Sequence, residues 1–133
     1  MRILLVEDNV GDVFLVRRAL EKNGLKYDLT VADNGEMALQ LLDLAAKGLP
    51  EQAPELVLLD LNLPKITGTQ ILTHIRETDG LSSMPVIILT SSDSPVDREL
   101  ALSLGANLYF RKPTDLQSFM NLGQLVEQFV TQP

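Results

Sequence analysis

Five short apolar runs, each followed by a stretch of helical periodicity, constrain this chain more than any other feature of its sequence. The runs are Ile3-Leu4-Leu5-Val6, Leu29-Thr30-Val31-Ala32, Leu56-Val57-Leu58-Leu59, Val86-Ile87-Ile88-Leu89 and Leu108-Tyr109-Phe110. Such alternation is the mark of a parallel sheet covered by helices. The first, third and fourth runs are apolar throughout, as strands buried on both faces must be, whereas the second and fifth are weaker and belong at sheet edges. Between them, Val13, Val16, Ala19 and Leu20 form one face of a first helix that ends at Asn23-Gly24. Ala38, Leu41, Leu42 and Ala45 mark a second helix, stopped at Gly48, and Ile71, Leu72 and Ile75 a third. A fourth carries Ser94 as its cap, Pro95 in the first turn, Asp97 three residues after the cap and Gly105 just past the end. Leu116, Phe119, Leu122, Val126 and Phe129 predict a single last helix capped by Thr114 or Asp115. Gly123 inside it costs about 1 kcal/mol relative to Ala, so local propensity does not explain it. The stretch from Gly48 to Pro54 reads as an ordinary surface loop.

At 133 residues and 45% hydrophobic content the chain is read as one domain over 1–133, with a core large enough to need no disulfide or structural metal. It has no cysteine, which removes thiolate zinc sites and cysteine nucleophiles and is compatible with a reducing cytoplasm. The net charge of −7, with basic residues scattered, disfavours nucleic acid as a partner. No apolar run approaches the ~18 residues of a membrane span, and no signal peptide is expected ahead of the first strand.

If the strands are all parallel, their C-terminal ends open on one edge, where ligands bind in open α/β folds. Past the first strand stand Glu7-Asp8-Asn9; past the third, Asp60; past the fourth, Thr90-Ser91-Ser92; past the fifth, Lys112-Pro113. Past the second, Asp33-Asn34-Gly35 reads as a plain turn. In the order 2-1-3-4-5 the four polar ends converge. Three carboxylates that close repel, and without compensation one is driven to bind a proton. A divalent cation with oxygen ligands offsets them, which favours Mg²⁺. Asp60 between that cation and Lys112 is then placed to attack a phosphoryl donor and become an acyl phosphate.

Taken together, Leu5-Val6-Glu7-Asp8-Asn9, Leu58-Leu59-Asp60-Leu61-Asn62-Leu63-Pro64 with Gly68, Leu89-Thr90-Ser91 and Tyr109-Phe110-Arg111-Lys112-Pro113 resemble the receiver domain of bacterial response regulators. The resemblance covers essentially the whole chain. It implies a flavodoxin-like, CheY-like (βα)5 fold, a five-stranded parallel sheet with helices on both faces. It implies a signalling phosphoacceptor rather than an enzyme, taking its phosphoryl group from a sensor histidine kinase. By the same resemblance Asp8 binds Mg²⁺ directly, Glu7 through water, and the Asn62 backbone carbonyl is a further ligand. Lys112 contacts the phosphoryl oxygens, aimed by a cis bond before Pro113. Thr90 moves to the phosphoryl group and Tyr109 turns inward, altering the face of the fourth helix, fifth strand and fifth helix for a downstream protein. Asn62 and Ser92 occupy positions that influence the lifetime of the acyl phosphate. Two departures stand out: Glu7 where many relatives have Asp, and Thr67 where an acid is commoner. Asp12-Val13 with Leu15-Val16-Arg17, the proline-bearing loop before the third strand, and Leu59 to Lys65 resemble the narrower group of stand-alone receivers served by phytochrome-type kinases, which tend to be homodimers. Because the chain stops after the last helix, no output domain is expected.

Plainer readings remain open at this stage. Glu7 and Asp8 can cap the first helix, Asp60 can close a turn, Lys112 can be a surface charge beside Arg111, and Tyr109 a half-buried strand aromatic. His74, the only histidine, falls inside the third helix and away from the strand ends. A haloacid dehalogenase-type phosphatase also forms an aspartyl phosphate, but it wants an acid where Asn62 stands. A nucleotide or flavin binder would need a glycine-rich phosphate loop that is absent from the sequence. A receiver-like adaptor that never takes phosphate has no need of Asp8, Asp60, Thr90 and Lys112 together.

Overall fold

The structure, a computed structural model, describes residues 1–48 and 53–131. The middle of the loop expected between Gly48 and Pro54 lies outside the described residues. Strands β1 (Arg2–Val6), β2 (Asp28–Ala32), β3 (Leu56–Leu59), β4 (Val86–Thr90) and β5 (Leu108–Arg111) form one sheet in the order β2-β1-β3-β4-β5. Every neighbouring pair is parallel. The edge strands are the two with the weaker apolar runs, and β2 alternates exposed Asp28 and Thr30 with half-buried Leu29 and Val31.

Side chains leave a strand on alternate faces, so each central strand feeds two cores. Ile3, Leu5, Leu56, Leu58, Ile87 and Leu89 pack with Val16, Ala19 and Leu20 of α1 (Val10–Lys22) and with Phe119, Leu122 and Val126 near the C-terminus. Leu4, Val6, Val57, Leu59, Val86 and Ile88 pack instead with α2 (Gly35–Lys47), α3 (Gly68–Glu77) and α4 (Pro95–Ser103). Leu58 lies in the middle strand with no exposed surface. Truncation there to alanine removes about 2–5 kcal/mol.

The helix starts follow the expected capping chemistry. Asn9, Asn34 and Ser94 accept backbone N–H groups from Asp12, Met37 and Asp97. Because Asn9 takes the α1 cap, neither Glu7 nor Asp8 is spent on it.

The last helix differs from expectation. It is split into α5 (Leu116–Phe119), capped by Asp115, and α6 (Asn121–Thr131), with the Gly123 N–H donating three residues back to Met120 O. That tighter turn interrupts the four-residue ladder. Gly123 is explained by packing: a Cβ there would lie 2.3 Å from Ala19 O and 2.0 Å from Asn23 Nδ2. Only glycine lets α6 come this close to α1.

Candidate functional site

Among the described residues the buried polar or charged side chains are Glu7, Asp60 and Thr90, and each stands at the C-terminal end of a strand. Burying such groups is costly unless they are paired, and here the partner is supplied by β5. Lys112, just past its end, has its N–H bonded to Thr90 O at 2.7 Å, which holds the residue in line with β4. Its Nζ donates to Glu7 Oε2 at 2.7 Å, Asp12 Oδ2 at 2.7 Å and Asp60 Oδ2 at 3.3 Å, with only 9% of the side chain exposed.

The other carboxylate oxygens are tied to backbone. Glu7 Oε1 accepts from Asn9 N and Asp60 Oδ1 from Asn62 N, both at 3.1 Å. Asp8 is exposed, yet a carboxylate oxygen from each of Glu7, Asp8 and Asp60 falls within 4.8 Å of the others. Three hard oxygen donors on one side of a pocket fit a cation such as Mg²⁺ or Mn²⁺. Burial, reinforced by the charge of Asp60, pushes the Glu7 carboxyl up to about 7 despite its hydrogen bond from Lys112. A buried carboxyl so raised favours its protonated form near neutral pH until a cation compensates it. Burial opposes the Lys112 ammonium, but hydrogen bonds to Asp12 and Glu7 and the charge of Asp60 outweigh it and raise its pKa.

Thr90 Oγ1 accepts from Asn62 Nδ2 at 3.2 Å and from Ser92 N at 3.3 Å. Tyr109 is half-buried, its hydroxyl donating to Ser92 O at 3.0 Å and its ring 5.7 Å from the Arg98 guanidinium. Ser92 thus links the two residues expected to switch, and its own hydroxyl donates to Asp97 Oδ2 at 2.6 Å. The loop after β3 is tightly drawn. Ile66 N bonds Pro64 O across Lys65, whose φ of 66° is unusual for a residue with a side chain. Gly68 presses on the strand end, where a Cβ would sit 2.3 Å from Asp60 O.

The structure brings Glu7, Asp8, Asp60 and Lys112 together, with Asn62 and Thr90 beside them and Tyr109 behind. One expectation is corrected: the peptide bond before Pro113 is trans, as is every peptide bond among the described residues. Trans is the lower-energy form even before proline, and Lys112 reaches all three carboxylates from it. His74 lies outside the site and pairs with Asp43 of α2 at 2.7 Å. Asp12 was missed. It belongs to the first turn of α1 rather than to a strand end, and its placement four residues after Asp8 was the available signal.

Residues 3–123 match the response regulator receiver domain. The chain is 39% identical over 126 residues to the probable methanogenesis regulatory protein FilR2 of Methanothrix harundinacea, covering 95% of this chain and 79% of that protein. It is 33% identical to the response regulator Rcp1 of Synechocystis sp., covering 96% and 86%. The crystal structure of the Mn²⁺-bound form of Rcp1 superposes with a TM-score of 0.84 at 32% identity, covering 98% of this chain and 94% of that one. That of the phosphorylated cyanobacterial phytochrome response regulator RcpA gives 0.85 at 30% identity, covering 96% and 91%. Fold, site and sequence agree: this chain belongs to the response regulator receiver domain family of two-component signalling. A receiver domain implies a histidine kinase as partner. No helix among the described residues is long and apolar enough to cross a membrane.

Proposed function

We propose that this receiver takes a phosphoryl group on Asp60 from a histidine kinase of the phytochrome type and passes the change to the face formed by α4, β5 and α5. The observation that carries this reading is the three-carboxylate cluster of Glu7, Asp8 and Asp60 closed by the Lys112 ammonium. A carboxylate oxygen of Asp60 forms the bond to phosphorus while the bond from phosphorus to the donor's imidazole nitrogen breaks, and that nitrogen keeps the electron pair. Mg²⁺ bound there would neutralise charge on the transferring oxygens. Asp8 and Asp60 would hold it directly, Glu7 through water, with the Asn62 carbonyl as a further ligand. Lys112 stabilises the same oxygens from the β5 side. Thr90 lies behind Asp60, fully buried, and its hydroxyl gives up the Asn62 contact to donate to the phosphoryl group. That movement disturbs Ser92, and through it the hydroxyl of Tyr109. The chain catalyses only its own phosphorylation and hydrolysis. Its output is a protein contact, with a downstream partner or a second copy. Similarity to Rcp1, solved with Mn²⁺, and to RcpA, solved phosphorylated, supports the metal and the acceptor.

Incubation with acetyl phosphate and Mg²⁺ tests it by intact mass. An adduct of about 80 Da on the wild type and none on Asp60→Asn is the expected result. Adducts on both proteins, or on neither, would overturn it.

A further inference from the structure

Asp12 carries more of the site than a helix residue should. An ammonium has three N–H donors, and three carboxylates take them: Glu7 and Asp12 at 2.7 Å, Asp60 at 3.3 Å. The longest of the three contacts is the one to Asp60. The Asp12 backbone is fixed by its N–H bond to the Asn9 cap, and its carboxylate sits in the first turn of α1, where the helix dipole favours a negative charge.

We propose that Asp12 is a positioning residue that competes with Asp60 for the Lys112 ammonium in the resting protein and surrenders it when a phosphoryl group arrives. This rests on Asp60 being the phosphoacceptor. In the reaction with acetyl phosphate a bond forms from an Asp60 oxygen to phosphorus, the bond from phosphorus to the acetate oxygen breaks, and acetate leaves with the electron pair. No proton is consumed. The phosphoryl oxygens need a donor from Lys112, and all three of its N–H groups are already spent. Glu7 is fully buried and tied to Asn9 N, so releasing the ammonium from it would strand a buried charge. The Asp12 side chain is 24% exposed, so water can replace the ammonium there. Of the two contacts made outside the acceptor itself, Asp12 is therefore the one that yields. Its charge also repels the incoming anion, an effect of the same sign.

The rate of adduct formation with acetyl phosphate and Mg²⁺, and the affinity for beryllofluoride as a non-covalent phosphoryl stand-in, test the assignment. Asp12→Asn is expected to raise both by about five-fold or more, as loss of a competing charged hydrogen bond predicts. Asp12→Glu, which restores the charge, returns both toward wild type. Asp28→Asn makes the same change in net charge at the far end of β2 and stays within about two-fold of wild type. Asp12→Ser matches Asp12→Asn, so the result does not depend on one variant folding well. A slower or unchanged Asp12→Asn protein would mean that Asp12 aims Lys112 productively or does nothing, and the proposal falls. Absence of any adduct on the wild type would sink the phosphoacceptor reading itself, and this one with it.

Discussion

Two partly buried cations sit at opposite ends of the sheet, and they are satisfied in opposite ways. Lys112, at the C-terminal edge, faces the carboxylates of Glu7, Asp12 and Asp60. Arg76, in the last turn of α3, faces no carboxylate in its bonding set. Its guanidinium donates to the carbonyls of Ser82, Met84 and Gly105 and to Asn107 Oδ1, over 2.6–3.2 Å. Asn107 Oδ1 in turn accepts Val86 N at the start of β4. A planar fork matched to fixed backbone acceptors has one good arrangement. A compact ammonium shared among three carboxylates has several. The first fastens α3 to β4 and the α4–β5 turn; the second can be reassigned when charge arrives.

The two ends should therefore fail differently. Lys112→Arg is expected to slow phosphorylation by acetyl phosphate about 100-fold, or about 2.7 kcal/mol, because a flat fork does not fit a point-charge pocket. Its urea midpoint should stay close to wild type. Arg76→Lys should do the reverse, losing about 2 kcal/mol of stability as the forked bonds to Gly105 O and the bond to Asn107 Oδ1 are lost, with a phosphorylation rate within about two-fold of wild type. A stability loss from both, or a rate loss from both, would erase the distinction. Gly123→Ala tests whether α1, the carrier of Asp12, is held in place by α6. Overpacking there should cost about 1–3 kcal/mol in urea unfolding.

The pH dependence at the carboxylate end follows from Glu7. Its folded pKa is raised from 4.5 to about 7, so the metal-free protein gains stability from this group below its unfolded value and loses it as pH rises through about 7. Mg²⁺ favours the ionised form. Metal binding at about pH 6 should release close to one proton, and at about pH 8 almost none, as calorimetry in buffers of different ionisation enthalpy would show. The smallest effect belongs to His74 and Asp43, a pair on the solvent side of α2 and α3. His74→Gln should change stability by less than about 0.5 kcal/mol.

The strands and the placement of Glu7, Asp60, Thr90 and Lys112 could be read from the sequence because a strand buried on both faces leaves an uninterrupted apolar run, and a parallel sheet delivers all its ends to one rim. Ser94 was legible for a similar reason, since capping is local. Asp12 was not, because its contact with Lys112 depends on how α1 lies over the sheet, a long-range matter. Arg76 escaped for another cause: its partners are mostly backbone carbonyls, which no residue type announces. The break at Met120 has no proline or paired glycine to mark it, and the apolar stripe from Leu116 to Phe129 runs through it unchanged.

The contact between Gly68 and the main chain of Asp60 leaves no room for even a methyl group. The Asp60 carboxylate thus rests on a floor that does not give: beneath it, the strand end and the start of α3 form one incompressible unit. Adjustment to a new group on Asp60 has to come from the opposite side, from the hydroxyl of Thr90 and the long arm of Lys112. A signal entering at this residue would be sent toward β4 and β5, because the direction of α3 is closed to it.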